Sequence, residues 1–342
     1  MNNKNELQSI LPKVSVIVPV YNAERYIDRT IASLMEQTLE DVQFIIIDDG
    51  SQDNSLSIIN QIIERYPQRK GSVTLITREN RGVAATRAQG LKLASGEFTV
   101  HLDSDDWIEP EMLESLYSRA VHEQADIVIC DYFLEYENSQ VYVKQNQCDN
   151  YICGLLTGEI GGFSWNKLIR NSLHKNIGIT FDSRLDYFED FHYMIRIFKC
   201  AGVISHVNNA FVHYNQLNES SITKEINLGK IKKVNFAIKM IESELYNTDL
   251  LFQKYKEHLN LFKINQKAWF VICNRVNVPD FIWGLYPETN QYIMSSRLAP
   301  HIKISLLLAK YKWYKAARVT IRYSIALWSI IKKIKNDYLK II

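Results

Sequence analysis

The sequence predicts an α/β fold, a mostly parallel sheet flanked by helices, followed by a C-terminal helical region. Three observations predict it. Short, β-branched apolar runs alternate with segments of helical periodicity through the first part of the chain, and the connections between them are short. Each run ends in a polar cluster, and in such sheets ligands bind beyond the carboxyl ends of the strands. From Asn227 onward the pattern turns helical and aromatic almost throughout, which puts a domain boundary near residue 225.

Val14 to Val20 has the continuous apolar character of a strand buried on both faces. Asn22 then serves as a helix N-cap, with Ile27, Ile31 and Leu34 at helical spacing to about Gln37. Val42 to Asp48 is a second buried strand ending in Asp48-Asp49-Gly50-Ser51. A helix with Leu56, Ile59, Ile62 and Ile63 on its apolar side stops before Pro67. Ser72 to Thr77 makes a third strand and Val83 to Ala94 a third helix, closed by Ser95-Gly96. Glu97 to Leu102 is the fourth strand, running straight into Asp103, Asp105 and Asp106 and closed by Trp107. A helix over Met112 to His122 and a strand over Asp126 to Cys130 follow. Val141 to Val143 reads as a strand, Gly158 to Gly162 as a loop, and Phe188 to Phe198 as a helix opened by two acids.

A chain of 342 residues suffices for one large domain and a smaller one. Its net charge of +2 hides a segregation, because residues 301–342 carry ten Lys and Arg against the single acid Asp337. That tail is therefore +9 and residues 1–300 sum to −7, so the tail is expected to meet something anionic. Five cysteines without CxxC pairs suggest a reduced, cytoplasmic compartment. Residues 1–11 lack the character of a secretory signal, and no apolar run approaches the ~18 residues of a spanning helix.

Carboxylates crowded at a strand end repel one another, and such an arrangement persists where a hard cation or polar ligand sits among them. The alternative is a solvated acidic turn, disfavoured here because four strand ends converge on one cleft. A dinucleotide-binding fold and a phosphate-binding loop are set aside for want of GxGxxG and GxxxxGK[ST]. An aspartate-nucleophile phosphatase would carry its acids after the first strand, not the fourth.

Val14 to Ile27, Gln37-Thr38, Ile46 to Ser55, Asn80 to Val83 with Arg87, and Leu102 to Trp107 together resemble the family 2 glycosyltransferases with the GT-A fold. The resemblance covers roughly residues 13–225. It implies that Pro19, Tyr21, Asn22 and Glu24 hold the nucleotide base and ribose, and that Asp49 accepts the uracil N3 hydrogen. Arg81 and Arg87 become candidates for diphosphate contact, with solvated helix-face arginines as the alternative. Asp103-Ser104-Asp105 matches the DXD motif, whose acids hold Mn2+ or Mg2+ against the diphosphate. Asp105 is then the direct metal contact and Asp103 a contact to ribose, metal or metal-bound water, while Asp106 caps the following helix. Glu189-Asp190 matches the family's acidic pair, with Asp190 in the position of the catalytic base. Trp165 lies near the acceptor side, as a sugar platform or as core. His213 stands where a third metal ligand is suggested, against a purely structural role.

The function so implied is inverting transfer of a sugar from a nucleotide sugar, UDP-linked, to a hydroxyl of a glycan or lipid-linked saccharide in bacterial surface-polysaccharide synthesis. No nucleic-acid partner is expected. In the tail, Leu327, Ile330, Ile331, Ile334, Tyr338 and Ile341 recur at helical spacing among lysines, the pattern of a helix lying on an anionic membrane or of an ordinary helical subdomain. With the first, the protein is peripheral at the cytoplasmic face. A catalytically inactive nucleotide- or glycan-binding module and a nucleotidyltransferase are the competing functions.

Overall fold

A computed structural model describes residues 11–218, 227–246, 249–274 and 277–324. The chain divides into two compact units, 1–221 and 222–342.

In the first unit, four strands form the parallel half of one mixed sheet: β1 (Val14–Val20), β2 (Val42–Asp48), β3 (Val73–Thr77) and β4 (Phe98–His101), side by side in the order β3-β2-β1-β4. Helices α1 (Ile27–Met35), α2 (Ser55–Arg65) and α3 (Val83–Leu93) are the crossovers between them. Every residue of β1 is buried, because this strand has a partner on each edge and helices over both faces. The acidic turn follows β4 and leads into the two-residue β5 (Trp107–Ile108) and α4 (Met112–His122).

The other half of the sheet is mixed. β6 (Ile127–Tyr136) extends beyond Cys130 and carries the hairpin strand β7 (Ser139–Val143). After α5 (Tyr151–Thr157) comes β8 (Lys167–Arg170), antiparallel to both β4 and β6. Then α6 (Asn171–Ile177), α7 (Glu189–Cys200) and β9 (Ile204–Asn215) complete the unit. β9 lies parallel to β6 and antiparallel to β5, so it closes the sheet beside the acidic turn. The whole architecture is a GT-A fold.

Two local expectations are corrected. Asn22 does not cap α1, which begins five residues later at Ile27. Its backbone is left-handed, with φ of 48°, and its side chain accepts from Gln52 N–H instead. Asp106 does not cap α4, as described below.

The second unit is helical: α8 (Leu228–Leu245), α9 (Asp249–Cys273), α10 (Asp280–Trp283) and α11 (Pro300–Lys310), with helix again over 314–324. The tail positions singled out from Leu327 to Ile341 lie outside the described residues.

Helix α3 packs directly on β1 because Gly90 faces Ile17. A Cβ at Gly90 would lie 2.3 Å from Ile17 Cγ2. Gly90→Ala should therefore destabilise the protein by about 1–3 kcal/mol, overriding a helix preference for Ala of about 1 kcal/mol. Urea unfolding should show the added methyl costing much less in an Ile17→Ala background, where its neighbour has been removed.

Candidate active site

The carboxyl ends of β1 and β2 are tied together by polar contacts. Asn22 N–H donates to Ser51 Oγ at 3.0 Å, Ala23 N–H to Ser55 Oγ at 2.8 Å, and Glu24 Oε2 accepts from both nitrogens of Asn54 at 3.0 Å. Asn22 and Glu24 thus shape the rim through their side chains. Tyr21 is 52% exposed and offers an open aromatic face, whereas Pro19 is buried within β1 opposite Ile47.

Asp49 holds the loop after β3. It is buried, pairs with the Arg78 guanidinium at 2.8 Å, and accepts from the backbone N–H groups of Arg81 at 3.0 Å and Gly82 at 2.8 Å. Both oxygens are engaged by donors of the loop after β3, which a carboxylate with about four acceptor positions accommodates. Arg78 continues the network to Gln89 and Thr86 of α3, at 2.6 and 2.7 Å. The Arg81 side chain is exposed, as a residue free to meet an anion at the rim would be.

Arg87 is the centre of the site and the largest departure from expectation. It is neither solvated nor open to a diphosphate. Only 3% exposed, it pairs with Asp103 at 2.6 Å, Asp190 at 2.7 Å and Glu189 at 2.8 Å. The three carboxylates keep the guanidinium protonated against the pull of burial. One positive charge faces three negative ones, so the cluster retains an excess of negative charge. Burial, opposed by Arg87 and reinforced by Glu189 and Asp103, pushes the Asp190 carboxyl up to about 7.

The other oxygen of Asp190 is held from the β8 side. Ser164 donates to Oδ2 from its backbone N–H at 3.1 Å and its hydroxyl at 3.3 Å. Ser164 is positioned in turn by buried Lys167, whose ammonium donates to the carbonyls of Phe163 at 2.7 Å and Gly161 at 2.9 Å and to Asn166 Oδ1 at 2.7 Å. Burial pushes the Lys167 amine down to about 7. Nothing in the sequence marks Lys167 for this role, although it stands two residues after Trp165. Trp165 itself belongs to the core: it is 3% exposed, stacked on Phe163 at 3.9 Å and edge-on to Tyr132.

The acidic turn is anchored at its backbone, where Thr30 Oγ1 donates to the carbonyls of Ser104 at 3.0 Å and Asp106 at 2.7 Å. Asp106 is fully buried and accepts from Asn215 N–H at 2.8 Å, which fixes the turn to β9 and explains why it does not serve α4. Burial and the charges of Asp105 and Asp103 raise its carboxyl well above the usual range. Asp105 accepts from Asn218 Nδ2 at 2.7 Å, and burial with the charge of Asp103 raises its carboxyl too.

The structure places His213 between two acids, its Nδ1 meeting Glu135 at 2.6 Å and its Nε2 meeting Glu109 at 2.7 Å. The ring is sandwiched between Trp107 at 4.9 Å and Phe133 at 5.1 Å, with the Arg29 guanidinium on Trp107. Among the described residues no three His, Cys, Asp or Glu side chains converge as a metal cage. Asp103 and Asp105 still suit a hard cation shared with a diphosphate. They are oxygen donors on one turn, each has one oxygen outside the bonds above, and burial together with the charge of Asp103 has raised Asp105.

Asp190, the second residue of α7, thus carries a carboxyl with a pKa near neutrality and is joined through Arg87 to the acidic turn after β4. The sequence model of "Glycosyl transferase family 2" matches residues 15–203. The chain belongs to this family. EpsH of Bacillus subtilis is 34% identical over 271 residues, 73% of this chain and 74% of that one. The cholesterol galactosyltransferase of Borreliella burgdorferi is 30% identical over 73% of this chain and 71% of its own. Among solved structures, Staphylococcus aureus TarS 1-349 in complex with UDP-GlcNAc is similar with a TM-score of 0.67 at 20% identity, covering 92% of each chain. The Pyrobaculum calidifontis mannosyltransferase PcManGT, in complex with GDP-Man and Mn2+, gives 0.55 at 15% identity over 94% of this chain and 88% of that one. At such identities the two structures speak for the fold.

Two outcomes follow from the Arg87 cluster. Arg87→Met strands three carboxylates and should cost about 3–5 kcal/mol in denaturant unfolding. The native carboxyl of Asp190 titrates above an unfolded one, so the folded state binds more protons between about pH 4 and pH 7 and stability falls as pH rises through that window. Asp190→Asn removes this dependence. Its melting temperature should exceed that of the wild type by several degrees near pH 8 and lose the advantage near pH 5.

Proposed function

We propose that the protein is an inverting glycosyltransferase that moves a sugar from a UDP-sugar to a hydroxyl of a glycan acceptor. The acceptor is lipid-linked, at the cytoplasmic face of the membrane, in the synthesis of a bacterial capsule or related surface polysaccharide. The observation that carries the reading is Asp190, a carboxylate with a pKa of about 7 joined to the Asp103-Ser104-Asp105 turn through one buried arginine. A base belongs beside the leaving diphosphate, and a link between Asp190 and the acidic turn through one guanidinium supports that reading.

The UDP specificity draws on the TarS complex, and the polysaccharide setting draws on a poly(ribitol-phosphate) beta-glucosyltransferase 27% identical over 326 residues. Among the described residues no helix is long and apolar enough to cross a membrane, which fits attachment by a basic surface.

Tyr21 supports the base by stacking, and the loop held by Asp49 positions Arg81 for the phosphates. The acceptor hydroxyl attacks the anomeric carbon opposite the departing diphosphate. Asp190 Oδ takes its proton as the new C–O bond forms, and the bond to the diphosphate breaks with its electron pair leaving on oxygen. Arg87 and Ser164 hold the carboxylate in one orientation throughout. A divalent cation bound by Asp105 and Asp103 would compensate the charge on the leaving group.

Turnover should rise with pH along a limb centred near 7, because Asp190 works only deprotonated. UDP release from a panel of UDP-sugars, with Mn2+ or Mg2+ supplied, measures it. Asp190→Asn should lower kcat by about 10²–10⁴-fold while leaving donor binding near that of the wild type. Pyrophosphate release in place of UDP would assign a nucleotidyltransferase, and donor binding without turnover of any donor an inactive module.

A further inference from the structure

The second unit carries a surface that glycosyl transfer does not use. Helix α11 has two apolar faces. Ile302, Ser305, Leu306 and Ala309 are buried against the unit, whereas Ile304 on the other side is 50% exposed. Leu308, one turn on, is half-exposed, and the same stripe continues into Tyr311 and Trp313, 66% and 65% exposed. Two large aromatics bared next to an apolar stripe are unusual on a surface in contact with water alone.

The turn that presents them is built in an unusual way. Lys312 N–H donates to Ala309 C=O at 2.9 Å and Trp313 N–H to Leu308 C=O at 3.0 Å, the paired bonds of a Schellman helix end. Its left-handed position, φ 62°, is held by Lys312 rather than by glycine. A side chain there costs stability relative to glycine, so local folding does not account for the lysine. It adds a cation between Lys310 and Lys315, all three exposed. The surrounding sequence is equally one-sided, with no Asp or Glu between Glu288 and Asp337.

We propose that the outer face of α11 and the Lys310–Lys315 turn dock on an anionic lipid bilayer, with Tyr311 and Trp313 seated among the headgroups and the lysines against their charge. Charge complementarity selects this occupant: interleaved lysines and amphipathic aromatics match an interface that is anionic above and apolar beneath. The proposal is independent of which sugar is moved, since none of these residues belongs to the first unit.

The test is co-sedimentation of the full chain with vesicles of phosphatidylcholine alone and of phosphatidylcholine mixed with phosphatidylglycerol. The wild type should partition onto the mixed vesicles and little onto the neutral ones. Lys312→Gly removes a cation while relieving the turn. It should bind the mixed vesicles roughly five-fold less and melt no lower than the wild type, and the K310Q/K312Q/K315Q variant should bind on the order of a hundredfold less. Trp313 fluorescence, taken as wild type minus Trp313→Ser, should shift to the blue only with the mixed vesicles. Unchanged partitioning of both lysine variants, or equal binding to neutral vesicles, overturns the proposal. UDP release from a soluble donor should be the same in all variants, so a failure here is separable from a failure of the glycosyltransferase reading.

Discussion

The site depends on one buried guanidinium. Arg87 joins α3, the turn after β4 and the start of α7 by three ion pairs, and each partner bears on a different part of the proposed reaction. Removing the guanidinium leaves three carboxylates uncompensated in a poorly solvated place, which is why they depend on it together. Burial, opposed by Arg87 and reinforced by Glu189 and Asp103, sets the Asp190 carboxyl near neutrality, so the cluster carries a cost in stability.

Around this centre, buried charged side chains hold the backbone in place. Lys167 reaches no acid among its hydrogen-bond partners, yet its three bonds fix the segment whose Ser164 aims Asp190. Asp49 performs the corresponding task on the other side, through the amides of the loop after β3. In both cases a charged side chain is buried to shape backbone, and the backbone then places the functional group.

Much of the parallel half of the sheet was legible because β1 and β2 are apolar runs and α1 and α2 are amphipathic, and both signals are local. The convergence of polar clusters followed from the topology. What could not be read was the pairing among those clusters. Arg87 and Asp190 lie 103 residues apart, and nothing near Arg87 distinguishes a buried hub from a solvated helix residue. His213 looked like a ligand from its place in the chain, but Glu109 and Glu135, 104 and 78 residues away, occupy its nitrogens. Asp106 stood before a helix and was assigned to it, although its partner amide comes from β9. These pairings share one property: each side chain meets a partner remote in sequence, which no local pattern reveals.

The closure of the acidic turn by β9 bears on the order of events during synthesis. Asp105 and Asp106 receive their hydrogen bonds from Asn218 and Asn215, and Trp107 receives its stacking partner from His213. All three arrive more than a hundred residues after the turn itself has left the ribosome. Until then, the parallel half of the sheet can assemble, but Asp105 and Asp106 lack these partners and β6 lacks β9 along one edge. Such non-local contacts form late, since chain closure must precede any gain from them. A nascent or truncated chain ending before β9 would therefore present most of the sheet with an open edge and an acidic turn short of its β9 contacts, vulnerable to aggregation.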